Sequence, residues 1–424
     1  MSTTTQEPQE PRSSAMPREI WVLVAAAFLI AVGYGLIAPI LPQFVVTFDV
    51  SIAAAGAVVS IFSVSRLIFA PGAGRLIDGF GARKVYLTGL ITVAVTTGMI
   101  ALVGAYWQIL VLRAIAGLGS TMFTISAMGL IVRLAPPERR GRASALYGSA
   151  FLLGNVIGPV AGAAMSFLGM RWPFVIYGTG VLLAAFVVWW LMPNRKIDRI
   201  EQNHAAAKDA APESAEPEKM HVREALRDSA YRSALVSNFT HGWVNMGVRV
   251  ATLPLFAAAV FNDGTAVAGF ALAIYAAGNA VVLQFSGRLA DTIGRKPLII
   301  AGLIGSAIFT GGMGFADEVW SLLLFSALAG ASAGMLNPSQ QAVLADVIGN
   351  DRSGGSVLSA YQMSMDLGQI VGPILVGVLA DLYGFRVAFG VCAIVALVAV
   401  AFWSFGRETL DTARKRAASD QGGE

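Results

Sequence analysis

Cysteine is nearly missing from this chain of 424 residues: Cys392 is the single one, which excludes an intramolecular disulfide and any CxxC metal site. Histidine is almost as scarce. His204 and His221 fall in a polar stretch and His241 in an apolar run, so no zinc or haem constellation can be assembled. Asp, Glu, Lys and Arg together make only 13% of the residues. No Ser, His and Asp set and no phosphate loop stands out, and Gly311, Gly312 and Gly314 lie in an apolar run that reads as helix packing. Neither an enzyme nor a resident cofactor is expected. A basic patch interleaved with aromatics is absent too, so the net charge of +4 does not point to nucleic acid. The polar opening from Met1 to Arg18 lacks the short apolar core and small-residue cleavage site of a secretory signal, and the first apolar run is expected to be retained.

What the chain has in quantity is apolar sequence, 56% of its residues. Runs free of Asp, Glu, Lys and Arg cover 20–48, 85–112, 143–170, 172–194, 264–287, 297–316, 319–345 and 387–406. Each reaches the ~20 residues that carry a helix across ~30 Å of hydrocarbon, a length that excludes a β-barrel. Four further spans are interrupted by single charges, at Arg66, Arg113, Arg249 and Asp366. The expected fold is all-α and polytopic, with twelve transmembrane helices at about 20–46, 52–73, 84–104, 107–132, 143–168, 172–193, 233–261, 265–287, 297–316, 319–345, 354–380 and 385–405.

The loop charges orient the chain. Of 30 Lys and Arg, three lie within spans, Arg171 and Arg386 fall on one face and the remaining 25 on the other, which predicts both termini and the central loop to be cytoplasmic. The organisation is a tail at 1–19, a six-helix bundle at 20–193, a polar central loop at 194–231, a second bundle at 232–406 and a tail at 407–424. The loop, with its stretch Ala205 to Lys219, reads as partly disordered, with an amphipathic helix near His221 to Ser229.

A sequence written twice supports two related halves. Gly74, Leu76, Asp78, Gly81 and Arg83 recur 213 residues later as Gly287, Leu289, Asp291, Gly294 and, one place early, Arg295, followed by Lys296. Gly154, Gly158, Pro159 and Gly162 match Gly368, Gly372, Pro373 and, one place off, Gly377; Tyr147 matches Tyr361; Gly35 and Pro42 match Gly247 and Pro254. Paired bundles of this kind are how membrane proteins open one site to two sides in turn.

These residues resemble the major facilitator superfamily of secondary transporters, and within it the twelve-helix drug:proton antiporters, over nearly the whole chain. The loop signature G-x-L-a-D-r-x-G-r-k is met almost fully by Gly287 to Lys296, while the first copy departs at Gly79 and Ala82. The signature G-x-x-x-G-P-x-x-G, an antiporter mark in that family, is met by Gly154, Gly158, Pro159 and Gly162. The pattern R-x-x-x-G-x-G of helix four is met by Arg113, Gly117 and Gly119. The resemblance implies that the first loop copy (Gly74, Asp78, Gly81, Arg83) latches onto helix eleven while the protein faces outward, with Gly287, Asp291, Gly294 and Arg295 as the weaker second copy. It also implies that Arg113 tunes a proton site or orients the helix-four cavity wall.

Physical chemistry sets the other expectations. Glycines at i and i+4 followed by proline suit a close, bent packing seam between the halves. A charge at the bilayer centre costs ~2.5–3.5 kcal/mol on insertion scales, so it must face a cavity or a partner. Asp366 is the only carboxylate well inside a span, and both it and Arg66 break the internal symmetry, matching Leu152 and Asn279. Each lies ~18 Å from the cytoplasmic side at ~1.5 Å per residue, and the resemblance implies that helix two packs beside helix eleven, which together predict an ion pair or a close water-bridged approach between them. Burial and a neighbouring arginine act on an aspartate's proton affinity in opposite senses, so Asp366 with Arg66, joined by Arg113 on the strength of the resemblance, is the expected proton-coupling set.

Asn238, His241, Asn245 and Arg249 recur at steps of three and four, which puts them on one helix face as a cavity wall. Asn279, Gln284, Asn337, Gln341, Tyr361 and Gln362 are expected to extend it. The leading reading is a monomeric, multi-pass transporter of the plasma or inner membrane that exports a small organic or drug-like molecule by proton antiport. The alternative is a transporter of an anionic metabolite, by uptake or exchange, since three intramembrane arginines face one aspartate. A non-transporting receptor on the same fold would carry an added soluble domain, for which the central loop is too short and polar.

Overall fold

Inside hydrocarbon no water is present to bind backbone N–H and C=O groups, so a spanning chain must satisfy them within itself. This one does so with helices. A computed structural model of the protein describes residues 16–135, 139–192, 218–349 and 352–410; residues 1–15, 136–138, 193–217, 350–351 and 411–424 lie outside the described residues. Twelve helices among the described residues are long and apolar enough to cross a membrane. The first half holds α1 (Arg18–Ile37), α2 (Ile52–Phe80), α3 (Ala82–Met99), α4 (Tyr106–Leu134), α5 (Arg140–Ala164) and α6 (Trp172–Leu191). The second half holds α7 (Ser229–Val260), α8 (Gly264–Thr292), α9 (Arg295–Met313), α10 (Val319–Ile348), α11 (Gly355–Tyr383) and α12 (Phe385–Phe405).

Three features differ from the sequence expectation. The first span, expected to run to 46, stops at Ile37, and a separate short helix covers Leu41–Val46. Pro39 and Pro42 lie at the break, and proline has no N–H to continue the ladder. Next, α2 and α8 run through the repeated motif to Phe80 and Thr292, so most of the expected loop is the last helical turns. The chain reverses at Gly81 (φ 84°) and Gly294 (φ 120°), a left-handed backbone region open to glycine. Finally, α7 widens into a π-helix over Trp243–Thr252, where the Thr252 hydroxyl donates to the Gly247 carbonyl five residues back (3.3 Å).

The described end of the central segment is docked to the second half. Glu218 and Lys219 pair in parallel with Arg352 and Ser353, and Arg352 Nη1 donates to Glu224 Oε1 at 2.5 Å. A single turn, Val222–Ala225, stands where a longer amphipathic helix was expected.

The repeat shows in the packing. In the first half a Cβ added to Gly35 would come within 2.7 Å of Pro159 Cδ, and in the second a Cβ on Gly247 would come within 3.0 Å of the Gly372 carbonyl carbon. Each half thus presses its first helix against the Gly-Pro step of its fifth.

The two halves form a wedge. Call the face carrying Arg18 and Phe405 the terminal face. At the opposite face the halves touch: Asp381 accepts from the Ile52 and Ala53 N–H groups (both 2.9 Å), and Thr265 Oγ1 donates to Gln43 Oε1 (2.6 Å). A Cβ on Gly269 of α8 would lie 2.7 Å from the Pro159 carbonyl oxygen of α5, and one on Gly56 of α2 would lie 2.2 Å from the Pro373 carbonyl oxygen of α11. Toward the terminal face the same helices part, and a Cβ added to Gly141, Gly148, Gly287 or Gly355 would meet nothing within 4 Å.

Candidate functional site

Where the wedge narrows, about 620 Å³ of cavity lies between the halves. The first half supplies an aromatic wall. Tyr34 comes from α1, Phe62 from α2, Phe123 from α4, Tyr147 and Phe151 from α5 and Tyr177 from α6. The second half supplies a polar wall, with His241, Asn245 and Arg249 from α7, Asn279 from α8, Asn337 from α10 and Gln369 from α11.

On the aromatic side Arg113 of α4 reaches the cavity with only 7% of its surface exposed. Its guanidinium carbon lies 4.3 Å from the Phe62 ring centroid, and its Nε has no hydrogen-bond partner. On the polar side one amide organises the wall: Asn245 Oδ1 accepts from the Tyr275 hydroxyl (2.5 Å), and Asn245 Nδ2 lies 3.0 Å from His241 Nδ1. Arg249 Nε donates to the Asn245 carbonyl (3.3 Å), and its guanidinium stacks over Tyr275 at 4.9 Å from the ring centroid.

Asp366 sits beside the cavity rather than in its lining. α2 and α11 zip together from the opposite face inward, through Asp381 on Ile52 and Ala53, then Ser60 Oγ to the Ile370 carbonyl (2.6 Å), then Ser63 Oγ near Gln369 Oε1 (3.5 Å). The next step is Arg66 and Asp366, at the point where the helices begin to part. Among the described residues no ion pair joins them, although Arg66 is the basic group whose charge reaches the Asp366 carboxyl. Asp366 Oδ1 accepts instead from Gln362 Nε2 at 3.2 Å. The direct contact allowed for from sequence is therefore absent in this arrangement, because the wedge opens one turn too early.

Of the residues expected to line the cavity, His241, Asn245, Arg249, Asn279 and Asn337 do so. Asn238 does not. It is buried inside the second half, donating to the Tyr361 carbonyl (2.7 Å), and Tyr361 in turn donates to Gln340 Oε1 (2.7 Å). Asn238 and His241 both lie in the regular part of α7 before the π-helix, and the four-residue stripe read from the sequence breaks there: His241 lines the cavity while Asn238, three residues earlier, is bonded to α11. Gln284, Gln341 and Gln362 are exposed and lie outside the lining. The aromatic wall escaped the sequence reading, although Tyr147, Phe151 and Asn155 carry the same four-residue spacing that marked α7.

The glycine motif of α5 packs within its own half, not between the halves as expected. Added Cβ atoms on Gly154, Gly158 and Gly162 would meet the carbonyl oxygens of Phe28 (2.8 Å), Val32 (2.4 Å) and Leu36 (2.5 Å), all on α1. The contact with the second half comes instead from Pro159 and Ala163, against Gly269.

The repeated motif behaves likewise. Gly74 and Asp78 fall on the backbone of α2, and their surroundings lie outside the described residues. Arg83 Nη2 donates to the Trp189 carbonyl (2.7 Å), tying α3 to α6. In the second copy Arg295 pairs with Asp291 and Asp346, each at 3.2 Å, while Glu408 accepts from the Arg295 (3.1 Å) and Lys296 (2.9 Å) backbone N–H groups. Burial works to raise the Glu408 carboxyl, but the backbone N–H groups of Leu410, Lys296, Arg295 and Thr409 outweigh it and hold it below the ordinary range. Asp228 caps α7 and is likewise held low, because hydrogen bonds from Arg407 and Ala230 overcome its burial.

The geometry has relatives. A family model described as Major Facilitator Superfamily matches residues 23–264 and again 234–422. The multidrug resistance protein MdtG of Citrobacter koseri is 26% identical over 411 residues, covering 93% of this chain and 96% of that protein. Its Salmonella typhimurium counterpart is 27% identical over 395 residues, covering 90% and 93%. Among solved structures, a bacterial homolog of the human lysosomal transporter Spinster, inward-facing and unoccupied, superposes with a TM-score of 0.75 at 16% identity, over 94% of this chain and 97% of that one. The human organic anion transporter MFSD10 superposes with a TM-score of 0.62 at 18% identity, over 91% and 100%.

Proposed function

This chain belongs to the Major Facilitator Superfamily of membrane transporters, and on that premise we propose that it exports a small organic molecule by proton antiport, using alternating access. The terminal face is the cytoplasmic one, in keeping with the 25 basic residues assigned to it. The wedge is then open to the cytoplasm and the cavity is loaded from inside. Relatives at 26–27% identity that carry the name multidrug resistance protein support export over uptake.

One observation carries the coupling: Arg66 and Asp366 form the next step of the α2–α11 zip, poised but unjoined. With the carboxylate ionised, closing the cytoplasmic side gains an ion pair; with it protonated, that gain is lost, and the open state is favoured. Proton binding at Asp366 thus selects which side is open. A proton moving inward gains ~2.3 kcal/mol per 100 mV of membrane potential, which together with a pH gradient drives the exchange uphill.

Reconstitution in liposomes with an imposed pH gradient tests this. The native protein should release protons as solute is transported, and Asp366→Asn should lose gradient-driven flux while keeping solute exchange at equal pH. Full coupling in that variant would falsify the scheme.

A further inference from the structure

The acidic and basic side chains that line the cavity are Arg66, Arg113, Arg249 and His241, and among the described residues no Asp or Glu joins them. Arg113 is the most demanding of the set. It is more than nine-tenths buried, its Nε lacks a hydrogen-bond partner, and among the described residues no carboxylate pairs with it. The face of Phe62 offsets only part of the desolvation of a buried guanidinium. Arg249, from the other half, is partly buried and among the described residues likewise has no carboxylate partner: its Nε is bonded to a carbonyl of its own helix and its charge lies over the Tyr275 ring. Arg66 differs, because its charge is shared with Asp366.

A cationic solute would meet the guanidinium groups of Arg113 and Arg249 with no acid in the lining to offset them, so the cavity selects against it by repulsion. An anionic headgroup supplies what Arg113 and Arg249 lack, and guanidinium suits it through paired N–H donors. At about 620 Å³ the space far exceeds an inorganic ion, and Phe62, Phe123 and Phe151 give the rest of a ligand an apolar bed. We propose that the substrates are amphiphilic organic anions, each with one carboxylate, sulfonate or phosphate-type headgroup on an apolar body, seated on Arg113 with Arg249 as the second contact. Since the two arginines belong to different halves, an anion touching both favours the state in which the halves draw together around it. The substrate class rests on the exporter reading for its direction of movement, but not for its binding.

Thermal unfolding of the purified full chain in neutral detergent separates the two, because it needs no proton gradient. The probes share one body and differ in headgroup: phenylbutyrate, phenylbutanol and phenylbutyltrimethylammonium. The anion should raise the unfolding temperature in a saturable way and the other two should not. Arg113→Gln should weaken that protection by about ten-fold, as expected for one lost charge-assisted contact. Arg249→Gln should act in the same direction, and stands in should the first variant not accumulate. A second arm compares lysophosphatidylglycerol with lysophosphatidylcholine: protection by the anionic lipid alone assigns the headgroup to a lipid source and upholds the class. Equal protection by all headgroups, protection by the cation, protection by no anion in either arm, or protection unchanged in both arginine variants overturns it. Loss of coupling evidence with anion selectivity intact would remove the export scheme and leave this assignment standing.

Discussion

In the first half Gly35 is set against Gly158 and Pro159; in the second Gly247 is set against Gly372 and Pro373, at nearly the same separation. The cavity walls those scaffolds carry are unlike. One side presents Tyr34, Phe62, Phe151 and the buried Arg113, the other an amide-centred network of His241, Asn245, Tyr275 and Arg249. Backbone-to-backbone contact tolerates little change, so duplication preserves it, whereas a cavity-facing side chain is free to diverge. The repeat therefore reports how each bundle is held together, and departures from it mark the side chains to which the proposed solute and proton roles belong. Asp366 opposite Leu152, and Arg66 opposite Asn279, are such departures.

That contrast can be broken by experiment. Gly158→Leu and Gly372→Leu should both destabilise, by at least ~1–3 kcal/mol each, because the added atoms meet backbone that cannot yield. Gly141→Leu, which meets open space, should leave thermal unfolding nearly unchanged. A Gly372 variant as stable as the native chain would refute equivalent packing.

Smaller effects belong to the rim where the halves meet. Asp381 is a charged clasp on the start of α2, where the helix N-terminus also favours an anion, and Thr265 on Gln43 is a neutral one. Asp381→Asn should lower protection of the Ile52 and Ala53 amides in hydrogen exchange by ~1–2 kcal/mol, since the rim is exposed. Thr265→Ala should loosen the rim by ~0.5–1.5 kcal/mol at most. The reverse order would mean that the polar pair, not the charged one, holds the halves.

The smallest expected effect is in acid. Glu408 and Asp228 are held below their ordinary range in the folded protein, so the stability they contribute is present above the unfolded carboxylate range of ~4 and is lost as pH falls through their folded values. Glu408→Gln should flatten the decline of unfolding temperature below about pH 4 and leave the neutral-pH slope unchanged. A variant whose acid limb matches the native one would exclude Glu408 from that decline.

Twelve spans, the two halves and the Gly-Pro steps were legible because apolar run length and a repeat near 213 residues are written in one dimension. The site was legible in part. His241, Asn245 and Arg249 were found by spacing, but Asn238 is buried in its own half against the Tyr361 carbonyl, a partner that helical spacing alone does not name. The aromatic wall was hidden for another reason: Tyr34, Tyr147 and Tyr177 sit in apolar spans where aromatics are also ordinary packing, and only side-chain direction distinguishes the two. The glycine ridge of α5 was read correctly as a close contact and assigned to the wrong neighbour, since a ridge does not say which helix fills it.

Cys392 is fully buried in α12, with its sulfur 3.3 Å from the indole Nε1 of Trp243, which donates to it. The native chain is thus its own silent background for thiol-reactive reporters, with no cysteine to remove first. Spin labels placed in pairs on α2 and α11, or on α5 and α8, near the terminal face would read the opening angle of the wedge directly, free of a competing signal from the lone native sulfur.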